Sequence, residues 1–373
     1  MDRIYRCYAS AAFGMEGLVS AELKRLGASG VLAENGGVMF DANLLQLFEY
    51  NIRMHFSDRL FIVLSDSVCR SFEDLYQAVY SIDWPFCFSG TEAINVSCKC
   101  TRSVLMSPRD CQAITKKAII EKIKKTDGRH VFPENGYALP VHVTVRNDRT
   151  RILLNTSGDA LSRRGYRTWN GEAPLRETLA AALVEISPWH PGLPLHDPCC
   201  GTGTILIEAA FMASGRAPGI NRHFAMEYLR FSDMRVMSDI RKNIASETRP
   251  GFVKDISGSD VDPSALELAR RHVRQAGLGE KGIPLTCIPL QQLHLKAEGG
   301  VFLCNPPYGE RLSDQNSCRI LYRDLHALKD RHASWSLCAI SSDPAFERSF
   351  GKRADRKRRL YNGRLECVLY CFD

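Results

Sequence analysis

Four residues, Asn305-Pro306-Pro307-Tyr308, carry the most chemistry in this 373-residue chain. Successive prolines donate no hydrogen bond and hold the backbone extended, which leaves the Pro306 carbonyl free to face a cleft. That carbonyl and the Asn305 side-chain oxygen can both accept from one exocyclic –NH₂ group. An amine held in this way loses conjugation with its ring and turns its lone pair towards an electrophile. Tyr308 is placed to stack on the base that bears the amine, which must first leave its own stack. No strong general base is needed, because the amine sheds its proton as or after the new bond forms. Positioning and electrostatics suffice.

Upstream, Asp197-Pro198-Cys199-Cys200-Gly201-Thr202-Gly203-Thr204 joins an apolar strand to an apolar helix. Gly201 and Gly203 let backbone approach a ligand, and the helix that follows offers free N–H groups. No Lys-Ser/Thr follows, so a triphosphate loop is excluded, and Ile207 occupies the place of a dinucleotide fingerprint's third glycine. Asp197, just before the loop, suits the ammonium of an amino-acid moiety. Asp260 ends the next strand and can accept both hydroxyls of a ribose. Asp262, before Pro263, reads as a helix cap.

The elements that must position these groups follow from periodicity. Residues 1–66 read as short strands with one amphipathic helix, Met15–Leu26, stopped by Gly27. Residues 67–155 read as a helix at Phe72–Tyr80, a strand at Ile94–Cys98, and a helix at Cys111–Lys125 with lysines outward. Strands at Val141–Val145 and Ile152–Leu154 flank an Asn147-Asp148 turn. A linker, 156–172, is rich in Gly, Ser and Arg. From 173 to 373 strands alternate with helices: Pro194–Asp197, Ser257–Asp260, Thr286–Pro289, Gly300–Cys304 and Trp335–Ser341 against helices from Pro174, Thr204–Ala213, Pro263–Ala276 and Cys318–His332. That alternation predicts a doubly wound parallel sheet. Asn362-Gly363 predicts a type I′ hairpin at the end.

Composition narrows the class. Hydrophobic residues at 45% and charged residues at 24% describe an ordinary globular chain rather than a disordered one. No apolar run reaches ~18 residues, and Asp2, Arg3 and Arg6 break the N-terminus, so neither a membrane span nor secretion is expected. The 14 cysteines include no Cys-x-x-Cys. Cys98/Cys100, Cys199/Cys200 and Cys367/Cys371 lack zinc-site spacing, so no metal is expected and free thiols in a cytoplasmic protein fit. Cys199 and Cys200 lie in the glycine loop rather than where a ring-attacking thiolate would stand, and Cys304 packs beneath Asn305. His190, His196 and His294 read as structural or exposed. The net charge of +7 is mildly basic. Lys99 to Arg129 holds nine basic against three acidic residues, with further clusters at Arg163-Arg164-Gly165-Tyr166-Arg167 and Lys352–Arg359. Together they predict a polyanion-facing surface that supplies affinity without sequence choice.

These motifs resemble class I S-adenosylmethionine-dependent methyltransferases acting on exocyclic amines. Asn305 to Leu312, Asn-Pro-Pro-Tyr-Gly-Glu-Arg-Leu, is similar to the subgroup that methylates guanine N2 in RNA. Phe13-Gly14-Met15-Glu16, Arg109-Asp110-Cys111-Gln112 with Lys116-Lys117-Ala118, and Asn155-Thr156-Ser157-Gly158 resemble a ferredoxin-like segment, an RNA-binding THUMP domain and its linker. The nearest resemblance is to the bacterial 23S rRNA (guanine-N2)-methyltransferase group in single-unit form. It implies an α/β doubly wound, Rossmann-like methyltransferase domain behind α+β ferredoxin-like and THUMP domains. It places S-adenosylmethionine on Asp197, Pro198, Gly201, Gly203, Asp260 and Asn305. Asn305, Pro306, Pro307 and Tyr308 would hold the target amine. Many relatives bind the adenine of the cofactor with an Asp after the third strand; Gln292 stands in that place here. RNA would meet Lys99, Arg102, Arg109, Lys116, Lys117, Lys124, Arg163, Arg164 and Arg167. The implied partner is 23S rRNA or a large-subunit assembly intermediate, with no obligate protein partner. Two other readings fit the same residues: adenine-N6 methylation of RNA or DNA, and a non-catalytic RNA-binding or ribosome-assembly factor.

Overall fold

The computed structural model describes residues 3–88, 92–128, 131–132, 134–167, 175–249, 253–279, 282–308 and 315–373. Pro174, Arg129 and the 309–312 extension of the Asn305 motif lie outside them. The front half runs β1 (Tyr5–Ser10), α1 (Glu16–Arg25), β2 (Ser29–Glu34), β3 (Gly37–Ala42), α2 (Leu44–Arg53), β4 (Arg59–Val68), α3 (Phe72–Tyr80), β5 (Ala93–Thr101), α4 (Pro108–Asp127), β6 (Ala138–Arg146) and β7 (Arg149–Asn155). The back half continues α5 (Glu177–Ile186), β8 (Leu195–Asp197), α6 (Thr204–Ser214), α7 (Met234–Ser246), β9 (Ile256–Asp260), α8 (Pro263–Gln275), β10 (Leu285–Cys287), β11 (Gly300–Cys304), α9 (Gln315–Arg331), β12 (Trp335–Ser341), α10 (Phe346–Phe350), β13 (Arg356–Asn362) and β14 (Leu365–Phe372).

The front strands form one seven-stranded sheet in the order β2-β3-β1-β4-β7-β6-β5. β4 runs across the 66/67 boundary expected from sequence, pairing with β1 along its first half and with β7 along its length. The two front blocks therefore share a sheet. The first block holds two helices, not one. α2 was signalled by Asn43-x-x-Gln46: the Asn43 side chain accepts from Gln46 N and the Gln46 side chain from Asn43 N, each at 2.9 Å. Its buried face, Leu47, Phe48 and Ile52, is wide enough to seat it on the core.

The back sheet has the order β10-β9-β8-β11-β12-β14-β13, parallel except where β14 runs antiparallel between β12 and β13. Strand order reverses between β8 and β11, the crevice where an open α/β sheet binds its ligand. The terminal hairpin corrects one expectation. Its loop is Gly363-Arg364, and only Gly363 has positive φ, +68°; that is the II′ pattern, whereas I′ needs two such residues. Asn147 and Asp148, at φ 51° and 63°, do form a primed turn.

The linker is not a solvated tether. Arg164 and Tyr166 are 4% and 3% exposed. Residues 216–247, unassigned from sequence, pack α7 against α2, where Arg53 makes a bidentate pair to Glu247 at 2.7 Å. Gly219 passes so near Asn51 that a Cβ would sit 2.8 Å from its carbonyl oxygen. Phe48 and Phe224 meet edge to face at 5.9 Å, and one apolar core runs through both halves.

Candidate active site

The ends of β8, β9 and β11 meet at the reversal point. β8 stops at Asp197, a carboxyl 2% exposed, one of whose oxygens accepts from Cys199 N at 3.0 Å. Burial, reinforced by the Asp260 carboxylate, holds the Asp197 carboxyl far above the usual range. Asp260 ties the glycine loop to β9: one oxygen accepts from Gly201 N at 2.8 Å, the other from Asp262 N at 3.0 Å. Each oxygen keeps a lone pair for a further donor. Gly201 and Gly203 take φ +50° and +81°, and among the described residues nothing lies within 4 Å of where a Cβ would stand at Gly201. Asp262 caps α8 through Ser264 N at 2.8 Å, the structural part expected of it.

β11 delivers Asn305 beside this loop. The Cys199 thiol, hydrogen-bonded to Cys304, together with burial holds the Cys304 thiol far above its usual pKa. Burial does the same to Cys200. Neither thiol is primed as a nucleophile. The Tyr308 hydroxyl donates to the Asn305 side-chain oxygen, a contact not foreseen; the ring was expected only as a stacking face. Among the described residues no donor reaches the Pro306 carbonyl, whereas the Pro307 carbonyl accepts from Tyr322 at 3.0 Å. Tyr322, wholly buried on α9, is a positioning residue that sequence reasoning missed; nothing in its own neighbourhood of the sequence marks it. Gln292 stands exposed at the end of a short helical turn after β10. His196 lies between Ser257 Oγ at 2.8 Å and Ser259 Oγ at 2.9 Å. Burial lowers its pKa to about 4, so it is neutral and structural.

The basic residues do not form one surface. Cys98 and Cys100 turn towards α4, where Cys100 meets Cys111 at 3.9 Å; Lys99 between them must face the other way. There Lys99 and Arg102 line a concavity of about 790 Å³ with Arg146, Arg149 and Arg151. Lys117 and Lys124 stand exposed on α4, on the opposite side of the sheet, with Lys116 paired to Glu134 at 2.8 Å. Arg109 is exposed in the first turn of α4, and Arg163 is exposed beside Asp159 at 3.3 Å. Two expectations fail outright. The Arg164 side chain is 1% exposed and paired to buried Glu208 at 3.3 Å, so it cannot meet RNA. Arg167 is 9% exposed; it donates to Thr204 Oγ1 and to the Leu175 carbonyl and lies 3.5 Å from Glu177. It braces the helix that follows the glycine loop. The C-terminal cluster is largely neutralised on the hairpin, Arg356 by Asp373 at 3.1 Å, Lys357 by Glu347 at 3.0 Å and Arg359 by Glu366 at 3.1 Å.

A sheet in this order, with a glycine loop after its first strand, an acid after its second and Asn-Pro-Pro-Tyr after its fourth, defines a class I S-adenosylmethionine-dependent methyltransferase. The chain belongs to the family described as RMKL-like methyltransferase domain, which matches residues 164–371, behind an RlmL ferredoxin-like domain at 6–61 and a THUMP domain at 69–155. The Bacillus subtilis (strain 168) protein named "Putative RNA methyltransferase YpsC" is 32% identical over 368 residues, 98% of this chain and 95% of that relative. The structure of SMU.472, "a putative methyltransferase complexed with SAH", matches with a TM-score of 0.93 at 37% identity, covering 100% of this chain and 98% of that one. A Listeria monocytogenes structure, described as "a predicted N6-adenine-specific DNA methylase", matches at 0.94 and 34% identity over 100% and 96%.

Proposed function

We propose that this chain methylates the exocyclic N2 of a guanine in RNA, with 23S rRNA or a large-subunit assembly intermediate as substrate. The observation that carries the reading is the Asn305–Tyr308 segment held at the end of β11, beside a glycine loop clamped by Asp260. S-adenosylmethionine, when bound, supplies an electrophilic methyl group. The chain's part is to hold it and to present the amine. Asp197 offers a carboxylate to the cofactor's ammonium, Asp260 its free lone pairs to the ribose, and the open space at Gly201 admits ligand against backbone. Pro198 shapes the turn and Gln292 faces the adenine. Asn305 Oδ1 and the Pro306 carbonyl accept from the target –NH₂, the Tyr308 hydroxyl yielding its place on Asn305. The THUMP domain and the relative named as an RNA methyltransferase support RNA as substrate. Guanine rests on the likeness of residues 305–312 to the guanine-N2 subgroup.

Incubating the protein with isotopically labelled S-adenosylmethionine and unmodified rRNA tests this reading. Label is expected in N2-methylguanosine. Label confined to N6-methyladenosine would overturn it in favour of adenine, which the same two acceptors could hold and which the Listeria relative's description names.

Two expected results follow here. Asp197 must be ionised to hold an ammonium, yet burial keeps its carboxyl protonated to unusually high pH. Cofactor binding should therefore release a proton, and affinity should rise with pH until the raised pKa is passed. Calorimetry of S-adenosylhomocysteine binding in buffers of different ionisation enthalpy measures both. Affinity independent of pH would remove Asp197 from the ammonium site.

The second concerns RNA. Lys99→Ala with Arg102→Ala, on the concave face, should flatten the dependence of log Kd on log salt by about two, one per lost phosphate contact. Lys116→Ala with Lys117→Ala, across the sheet, should change it less, since both lysines have acidic neighbours. An unaltered slope in the first pair would mark Lys99 and Arg102 as merely solvated.

A further inference from the structure

The THUMP domain holds a cluster that methyl transfer does not use. Cys98 and Cys100 leave β5 on the side covered by α4, and Cys111 faces them from the helix's second turn. Cys98 Sγ lies 3.7 Å from Cys100 Sγ, which lies 3.9 Å from Cys111 Sγ; all three fall within 4.8 Å of one another. All are free thiols. Ligands about 2.3 Å from a tetrahedral Zn(II) stand about 3.8 Å apart, so these sulfurs already occupy corners of such a shell. A second observation points the same way. Thr115, one turn along α4 from Cys111, is wholly buried, and its hydroxyl has no hydrogen-bond partner among the described residues. On a helix, residues four apart share a face. Cys98 and Cys100 are partly exposed, which leaves an ion a way in from solvent.

We propose that Cys98, Cys100 and Cys111 bind one thiophilic divalent cation, Zn(II) in chemical type, clamping β5 to α4. Binding replaces three S–H bonds with three metal–sulfur bonds and releases three protons. Three thiolates around a divalent ion leave one negative charge, which the nearby N-terminal end of α4 favours. The fourth corner is filled by water or by the Thr115 hydroxyl. Soft sulfur ligands select such an ion over Mg(II) or Ca(II). Each thiol must lose its proton to become a ligand, so affinity should climb with pH. The clamp would fix the strand whose other face presents Lys99. It is independent of the methyl-transfer reading, because no residue of that site takes part.

Titrating the reduced, metal-free full chain with Cd(II), read by the ultraviolet sulfur-to-metal charge-transfer band, tests the site. One equivalent should saturate the band, with close to three protons released and a rise in the thermal midpoint. Cys100→Ser should lose at least about tenfold in Cd(II) affinity, the cost of losing even an outer-shell partner. Cys287→Ser, at the exposed cysteine of β10, should behave as the parent. Should Cys111→Ser fail to fold, since it is fully buried, Cys98→Ser at the partly exposed edge gives the same reading. No band at one equivalent would overturn the proposal. So would a band undiminished in both Cys98→Ser and Cys100→Ser, which would place the ion on other thiols.

Discussion

Asn305→Ala is expected to lower turnover by about 10²–10³-fold, the cost of removing one positioned polar group that acts in the transition state. The side chain has one oxygen to offer, and the Tyr308 hydroxyl holds it in place. Alanine removes that acceptor and leaves the Pro306 carbonyl alone to orient the amine. A single acceptor lets the amine rotate, so its lone pair points at the methyl group only part of the time. Affinity for S-adenosylhomocysteine should change far less, because Asp197, Gly201, Gly203 and Asp260 are untouched. The pattern to look for is therefore a fall in kcat with a nearly constant cofactor Kd. Turnover within a few-fold of the parent would exclude Asn305 from the chemistry. A matching loss of cofactor affinity would instead make it a cofactor ligand.

Glu208→Gln is expected to destabilise the folded chain by about 3–5 kcal/mol, the usual cost of stranding one member of a buried ion pair. All five N–H donors of Arg164 are used. Nε and Nη2 reach Glu208 at 3.4 and 3.3 Å, and Nη2 also reaches the His55 carbonyl at 2.6 Å. Nη1 reaches the Met54 and Leu161 carbonyls at 3.2 and 3.0 Å. The Tyr166 hydroxyl donates to Glu208 at 3.0 Å. This knot joins the front block, the linker and α6, the helix that leads from the glycine loop. With both charges inside the protein, loss of one leaves the other neither solvated nor paired. Urea unfolding of Glu208→Gln, Arg164→Leu and the double variant measures it. The double variant should lose less than the sum of the singles, because the stranded charge is then gone. A single-variant loss below about 1 kcal/mol would put the pair in the range of solvent-screened surface bridges.

Much of the back half was legible because its elements are local and periodic. β11 and β12 have the ends that the apolar runs indicated, and α6 and α8 begin at Thr204 and Pro263 as expected, since a cap or a proline fixes a helix start from within the chain. α7 was left unassigned although Met237, Ile240 and Ile244 recur at helical spacing behind the Asp233 cap; what the local pattern does not record is its partner α2, nearly two hundred residues earlier. The arginines of the linker show the same limit more sharply. Arg163, Arg164 and Arg167 fall within five residues and are alike in type, yet one is exposed, one is sealed in the core with Glu208 and one braces Thr204. Charge type predicts a preference for water, but a paired acid supplied by a distant helix reverses it.

The sequence by itself determined the residue types and order of the chemistry: a glycine loop after Asp197, an acid at Asp260, and Asn305-Pro306-Pro307-Tyr308 further on. Those depend on backbone conformations and functional groups encoded within a few residues. The tertiary structure alone decided what shares a face. It set Lys99 and the α4 lysines on opposite sides of one sheet, gathered Cys111 to Cys98 and Cys100, and brought Tyr322 under the Pro307 carbonyl. Strand alternation and helix packing fix those neighbourhoods across long separations, and no local pattern in the chain records them.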